Sequence, residues 1–277
     1  MGLFDISAWS NFGISAWSNS TISNFQITVP TMSFNVTGPL GTTGFCTVTA
    51  PHSALRPPYI IEVDGSNTSY TTMYENATQS VLHFTYQHST HAVTITGTPP
   101  IHDVAVTNVS YKTVVFQGYN LNITVTAADP GDYTETFNVT VYANTTYIAS
   151  QNVTLNSGGS TTLNFTWNAT GFGKPYNYTI YNISAYASPV PGETNLANSN
   201  FTGGFVYVSS LVGDLTGTTP FVPDGKCDGR DITVVAKCFG SKLGDPRYNP
   251  NCDIFNRGKI DGKDITIVAR NFGKQDP

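Results

Sequence analysis

The sequence predicts a mainly β chain, with two β-sandwich-like domains followed by a small α-helical domain. Three observations carry that reading. Before residue 210, β-branched and aromatic residues alternate with polar ones, as in QITV, CTVTA, YIIEV, SVLHFTY and HAVTITG. This is the period-two signature of half-buried strands. Gly, Pro and Asn interrupt the alternation about every ten residues, the spacing of turns in β-sandwiches. After residue 210 the pattern changes: Asp and Lys appear, and one segment repeats itself.

The 277 residues suffice for two or three domains, each with its own core. Charge is scarce. Only 11% of residues are Asp, Glu, Lys or Arg, against about 25% in an average globular chain. The net charge of −5 and the lack of a basic patch argue against nucleic-acid binding. No apolar run is long enough for a transmembrane helix. Sequons offer another source of solubility. They occur at Asn19, Asn35, Asn67, Asn76, Asn108, Asn122, Asn138, Asn144, Asn152, Asn164, Asn168, Asn177, Asn182 and Asn200. These are fourteen of the twenty asparagines before residue 210, where chance would give roughly five. None of the four later asparagines lies in a sequon. A β-rich composition alone does not explain that abrupt stop. N-linked glycans do, and they imply a secreted, extracellular or cell-surface protein.

The leader, residues 1–33, opens with a near-repeat: ISAWSN occurs at 6–11 and again at 14–19. It lacks the basic start, unbroken apolar run and cleavage site of a signal peptide, so export implies a signal that was removed or that precedes it. Read at period two, Phe4, Ile6, Ala8, Phe12, Ile14 and Ala16 share one face, with Trp9 and Trp17 on the other. The phase then slips, because Phe25 and Ile27 are odd-numbered. A strand out of phase with the adjoining segment either folds back on its own domain or completes a neighbour's sheet by strand donation. The low charge and dense sequons favour donation. Head-to-tail donation does not close, so it propagates into a filament of identical subunits.

Residues 34–98 read as a small β domain that ends at the TGTPP linker, and residues 99–209 as a second β-sandwich. The second has seven to eight short strands with turns at DPGD (129–132) and NSGGS (156–160). Trp167 alternates with Phe165 and Leu163 and reads as a core aromatic. HDVAVTNVSY, TETFNVTVYANTT, TTLNFTWNATGF and the run from YNYTIYNISAYA to GGFVYV closely resemble the CARDB family, an immunoglobulin-like module of archaeal and bacterial extracellular proteins. The resemblance implies a scaffold or adhesion role. The smaller domain looks like a β domain common in archaeal surface proteins.

In residues 210–277, KCDGRDITVVAKCFGS at 226–241 matches KIDGKDITIVARNFGK at 259–274, identical at ten of sixteen positions with an offset of 33. Each copy reads as a loop followed by a short amphipathic helix. A twelve-residue calcium loop supplies oxygens at positions 1, 3, 5, 7, 9 and 12, with Gly at 6. Counting back from Asp231 as position 12 gives Asp228 at 9, the Lys226 carbonyl at 7, Gly225 at 6 and Asp224 at 5. Asp214 and Thr216 fill positions 1 and 3 if the loop carries an insertion of about six residues. Loop two counts without insertion: Asp253 at 1, Gly258 at 6, the Lys259 carbonyl at 7, Asp261 at 9 and Asp264 at 12. Its positions 3 and 5 are Phe255 and Arg257, which give no oxygen. Asn256 leans in instead, or Arg257 places its own cation beside the acids. Helix capping explains Asp231 and Asp264, leaving Asp224, Asp228 and Asp261 to a metal.

The pair PDGKCDGRDITVVAKCFG and YNPNCDIFNRGKIDGKDITIVARNFG resembles a dockerin-type domain in its archaeal form. That implies one or two Ca²⁺ ions and docking through a helix face onto a cohesin-like β module. Cys238 ends the first helix and Cys252 precedes the second loop, so a disulfide between them is expected to stabilise this small core by about 3 kcal/mol. Cys227 takes the apolar place of Ile260, and Cys46 lies in a strand; both are expected to be buried.

Catalytic motifs for hydrolases, metalloproteases and nucleotide-binding enzymes are absent. His83, His88 and His91 form one weak cluster, better read as an ordinary hairpin. The expectation is therefore a non-enzymatic glycoprotein that builds an extracellular filament, thread or sheath. A dockerin-bearing module that binds a cohesin-like or polysaccharide partner is the main alternative, and a fragment of a larger surface enzyme the next.

Overall fold

The computed structural model describes residues 2–4, 13–173 and 178–276. It is mainly β, with several antiparallel sheets and two short helices near the C-terminus. The first unit contains β1 (Gly2–Phe4), β2 (Ser15–Ser18), β3 (Thr21–Thr28), β4 (Thr31–Thr37) and β5 (Thr43–Pro51). It continues with β6 (Arg56–Val63), β7 (Ser66–Asn67), β8 (Tyr70–Glu75), β9 (Gln79–Gln87) and β10 (Thr90–Thr98). Two five-stranded sheets result, ordered β1-β2-β5-β9-β8 and β3-β4-β10-β6-β7. The alternation seen in the sequence sets their faces: Met32, Phe34 and Val36 of β4 and Cys46, Val48 and Ala50 of β5 point into one shared core.

The leader corrects the sequence reading. β2 pairs with β5 of its own unit, in register Ser15↔Thr49 to Ser18↔Cys46. Ile14 and Ala16 are buried in that unit's core, while Trp17 stands outside it, edge-on to Phe45 at 5.0 Å. β1, which contains Phe4, runs antiparallel to β2, so the leader is not one continuous strand. Ile6, Ala8, Trp9 and Phe12 lie outside the described residues. The phase slip has a local cause. The β3–β4 ladder jumps from Ser23↔Asn35 to Gln26↔Ser33, a β-bulge, with Asn24 in the left-handed region at φ 54°. A bulge inserts one residue and moves the following side chains to the other face. Ile22 therefore points inward before the bulge, and Phe25 and Ile27 after it. The residues from β2 through β4 belong to the first unit's sheets, not to a separate extension ending at residue 33.

The second unit contains β11 (Ala105–Tyr111), β12 (Val114–Phe116), β13 (Asn120–Ala128), β14 (Glu135–Ala143), β15 (Thr146–Leu155), β16 (Ser160–Asn168), β17 (Tyr178–Ala187) and β18 (Asn200–Ser209). Its sheets are β11-β13-β16 and β12-β18-β17-β14-β15. Trp167 is buried between them, edge-on to Phe172 and Tyr181. β12 is the element that positions the C-terminal loops. It pairs in parallel with β18 and is buried on both faces. Val115 packs into the sandwich core, whereas Val114 and Phe116 pack against Leu215, Cys227, Val235, Ile254 and Val268 of the C-terminal module. An uninterrupted apolar run is what a strand buried on both sides needs. Burying each of those side chains contributes about 1.5–3 kcal/mol, so sandwich and module share one hydrophobic joint.

The sequon asparagines sit at the surface of both sandwiches. Among the described ones, Asn35 and Asn182 are half-buried and the other eleven are exposed. Asn177 lies outside the described residues.

Candidate functional site

Two helices frame the site, α1 (Gly229–Cys238) and α2 (Gly262–Asn271). Both start in the same way. Asp228 caps α1 and accepts a hydrogen bond from the Arg230 N–H, while Asp261 caps α2 and accepts one from Lys263. Asp231 and Asp264 reach back to the N–H groups of Asp228 and Asp261, at 2.8 and 3.0 Å, completing two capping boxes. Capping thus accounts for Asp228 and Asp261 as well as Asp231 and Asp264, which the sequence alone did not show.

Loop one is organised by two buried acids. Asp214 accepts from the Asp224 N–H at 3.1 Å and the Gly225 N–H at 2.9 Å. Loop two repeats the arrangement, with Asp253 accepting from Arg257 at 3.0 Å and Gly258 at 2.7 Å. Asp231 accepts from Leu215 and Thr216, and Asp264 from Ile254. Asp214 is therefore the structural counterpart of Asp253. The two loops differ by an insertion between Thr216 and Asp224. Thr216 does not face the acids. Its hydroxyl donates to the Thr219 carbonyl and accepts from the Phe221 N–H, closing the inserted turn. Lys226 and Lys259 lie on single β-bridges, to Gln275 and Lys242 respectively.

Charge separates the two loops. Burial pushes the Asp214 carboxyl up to about 7, with Asp231 and Asp224 adding to the rise, and burial raises Asp231 as well. Arg230 is the cation nearby; it is half-exposed and pairs with the outer acids Asp224 and Asp228 at 3.1 and 3.6 Å. In loop two, Arg257 occupies the place of Asp224. Its guanidinium grips Asp261 with two hydrogen bonds of 2.7 Å and touches Asp264 at 2.8 Å. That pairing holds Asp261 well below the usual carboxylate range. Asn256 does not lean into the loop: its amide donates to the Asn120 carbonyl of the sandwich at 2.6 Å.

A second cation reaches loop two from the sandwich, and nothing in the sequence pointed to it. Lys112 follows β11 and is buried. Its Nζ donates to the carbonyls of Asp253 and Ile254, both at 3.1 Å. Asn251 accepts from the Val114 N–H at 2.9 Å, and Phe255 lies 5.9 Å from the Tyr119 ring.

No group of three or more His, Cys, Asp or Glu side chains converges as a metal site among the described residues. Loop one has the hard-oxygen donors that calcium takes, and among the described residues no internal cation pairs with Asp214 or Asp231. Loop two does not fit the ion, because a guanidinium fills its acid cluster. The expected disulfide is also corrected. Cys238 and Cys252 are buried free thiols, not joined by a covalent bond. They pack as small apolar side chains in the module core, and Cys252 also donates to the Val234 carbonyl. Cys227 and Cys46 are buried too, and burial pushes both thiols up to about 12. The three histidines part company, His83 to Thr47, His88 to Ser20 and Thr42, and His91 to Asp64.

No family model and no curated protein matches the chain. Several solved structures are similar to it over part of the chain. The CARDB domain of a Pyrococcus furiosus protein, crystallised in complex with di-metal ions, is similar at 23% identity and a TM-score of 0.32, over 40% of this chain and 89% of that one. A cohesin–X-dockerin complex from Acetivibrio cellulolyticus is similar at 21% identity and a TM-score of 0.22, over 50% of this chain and 83% of that one. A second variant of that complex covers 61% of this chain and 98% of its own, at 16% identity and a TM-score of 0.22. No helix among the described residues is long and apolar enough to cross a membrane.

Proposed function

We propose that the chain is a non-enzymatic, N-glycosylated structural subunit of an extracellular surface assembly, with calcium in loop one stabilising its C-terminal module. The observation that carries this reading is the surface chemistry of the two sandwiches. In a chain of which only 11% is charged, eleven of the thirteen described sequon asparagines are exposed, and they are spread over both units. Glycans there supply the solubility that charges do not. Loop one would hold its ion through Asp214, Asp224, Asp228, Asp231 and the Lys226 carbonyl. The ion supplies positive charge to acids that are otherwise buried beside one another.

Assembly through the leader takes a modified form. Among the described residues β1 pairs with β2 alone, at the edge of its sheet. Strand donation would exchange that edge segment between neighbouring copies while β2 stays in place. Electron microscopy of the glycosylated protein tests this. Filaments should form with the full chain and disappear when residues 1–12 are deleted; a monomer under every condition overturns the reading.

A docking role for a cohesin-like or polysaccharide partner has one observation in its favour. Two surface grooves lie at equivalent places on the repeat, one along Gly229, Arg230, Thr233, Val234 and Lys237 and the other along Gly262, Lys263, Thr266, Ile267 and Arg270. Alanine at Arg230 and Lys263 together would abolish partner capture on that reading and leave filaments intact on the first.

A further inference from the structure

We propose that loop two is a cation-filled counterpart of loop one that holds no metal, and that its built-in charge doubles as the lock between the second sandwich and the C-terminal module. The inference rests on reading loop one as a cation loop, but its evidence lies in loop two.

The backbone N–H bonds that Asp214 and Asp253 accept, and those that Asp231 and Asp264 accept, match the loops position by position. That correspondence sets Arg257 where loop one has Asp224. The swap converts an acid ligand into a guanidinium, and the guanidinium lies where a cation would neutralise the acids. Arg257 makes three charge-assisted hydrogen bonds to Asp261 and Asp264, and Asp264 is fully buried. Two planar N–H bonds to one carboxylate give the fork geometry that makes an Arg–carboxylate pair strong.

Lys112 extends the arrangement across the joint. Backbone carbonyls are calcium's usual neutral ligands. Here an ammonium takes two of them, at Asp253 and Ile254, from a residue 141 positions away in the chain. A buried ammonium needs such partners to offset its lost hydration. Asn251 and Asn256 add direct bonds to the sandwich: Asn251 accepts from the Val114 N–H and donates to the Thr113 hydroxyl, and Asn256 donates to the Asn120 carbonyl. Loop two thus meets the sandwich through Lys112, Asn251 and Asn256, whereas loop one meets it at the end of β18, where the Ser209 hydroxyl donates to Asp214 at 3.4 Å. A metal in loop two would have to displace a guanidinium from its acids, and the side chains at positions 3 and 5 would offer it no oxygen in return.

The test uses the full-length protein. Equilibrium dialysis against radiolabelled calcium is run on the wild type and on D214N, and melting is followed with calcium and with excess chelator. D214N should bind no calcium, and an ion retained by D214N overturns the proposal. Lys112→Met and Arg257→Met should each lower the melting midpoint by about 5 °C or more, equally with calcium and with chelator. R257K, which keeps the charge but not the fork, should recover part of the loss. A loss confined to calcium-containing buffer, or no loss, overturns the proposal. A wild type that binds no calcium removes the ion from loop one only, because the chelator-insensitive losses report on loop two by themselves.

Discussion

In loop one the residue at position five is Asp224, and in loop two it is Arg257; apart from the insertion in loop one, the two loops share the hydrogen bonds that the paired acids accept from positions five and six and from the helix caps. One exchange of charge gives them different electrostatics. Loop one keeps Asp214 and Asp231 buried side by side, with its arginine outside on the other acids. Loop two brings a guanidinium to Asp261 and Asp264 and an ammonium to its carbonyls. A duplicated motif can therefore keep its loop contacts while one copy takes an internal cation and becomes a structural joint. Capping boxes and Asp–Gly contacts maintain the loop shape in both copies, so the fifth position is free to change.

Substitution at the twelfth position should show the contrast most sharply. Asp264→Asn puts an uncharged amide where the guanidinium meets a buried carboxylate, and the expected cost is about 4 kcal/mol. Asp231→Asn in chelator removes a buried charge that has no cation, and its cost is about 1 kcal/mol, from one weakened N–H contact. Urea unfolding of both variants at pH 7 measures the difference. Equal losses would break the comparison.

The thiols tie the two halves together, since Cys238 ends α1 and Cys252 leads into loop two. Mild oxidation should join these neighbours and add about 3 kcal/mol, read as the loss of two titratable thiols and a higher unfolding midpoint. In C252A neither change should occur.

The rule that a buried acid needs a cation extends beyond the module. Asp129, at the start of the DPGD turn, is fully buried, and one of its oxygens has no hydrogen-bond partner among the described residues. Burial, aided by Glu135 and Asp103, pushes its carboxyl up to about 6. The folded state then binds the proton more tightly than the unfolded chain. Its contribution to stability is greatest below the ordinary carboxylate value near 4, falls as pH rises from about 4 to 6, and is flat above. Asp129→Asn should be more stable than the wild type by about 2 kcal/mol at pH 7 and show no advantage at pH 4. Thermal melts across that range would reveal it.

Much of this was legible in the sequence, for physical reasons. Period-two alternation marks strands whose two faces meet different surroundings, so Phe165 and Trp167 read correctly as inward. The 33-residue repeat fixed the register of the loops, and the insertion that brings Asp214 into place follows from it. Arg257 stood out because a cation in an acid loop needs a reason. What stayed hidden depends on contacts distant in sequence or on single dihedral angles. The bulge at Asn24 changes phase within one strand, so the leader looked foreign to a sheet that it completes. Lys112 is an ordinary lysine until a loop 141 residues away offers it two carbonyls. Thr216 and Asn256 had the right chemistry for ligands, but nearer partners engage them.

The smallest expected effect tests whether loop two owes its place to charge alone. Asn251 is buried in the short 3₁₀ turn Pro250–Cys252, just before the loop, and its side-chain oxygen accepts the Val114 N–H. It carries no charge, and it binds the strand that divides the two cores. Asn251→Ala leaves that buried N–H without an acceptor, at a cost of about 1–2 kcal/mol. Loop one has Val212 at the corresponding distance before Asp214, so its half of the module makes no such bond there. If charge and hydrogen bond act together, N251A should increase amide exchange at Val114 and around Ile254 while leaving Leu215 unchanged. Equal exchange at Leu215 and Ile254 would mean that the two halves open as one unit, and that the joint is held by Val114 and Phe116 instead.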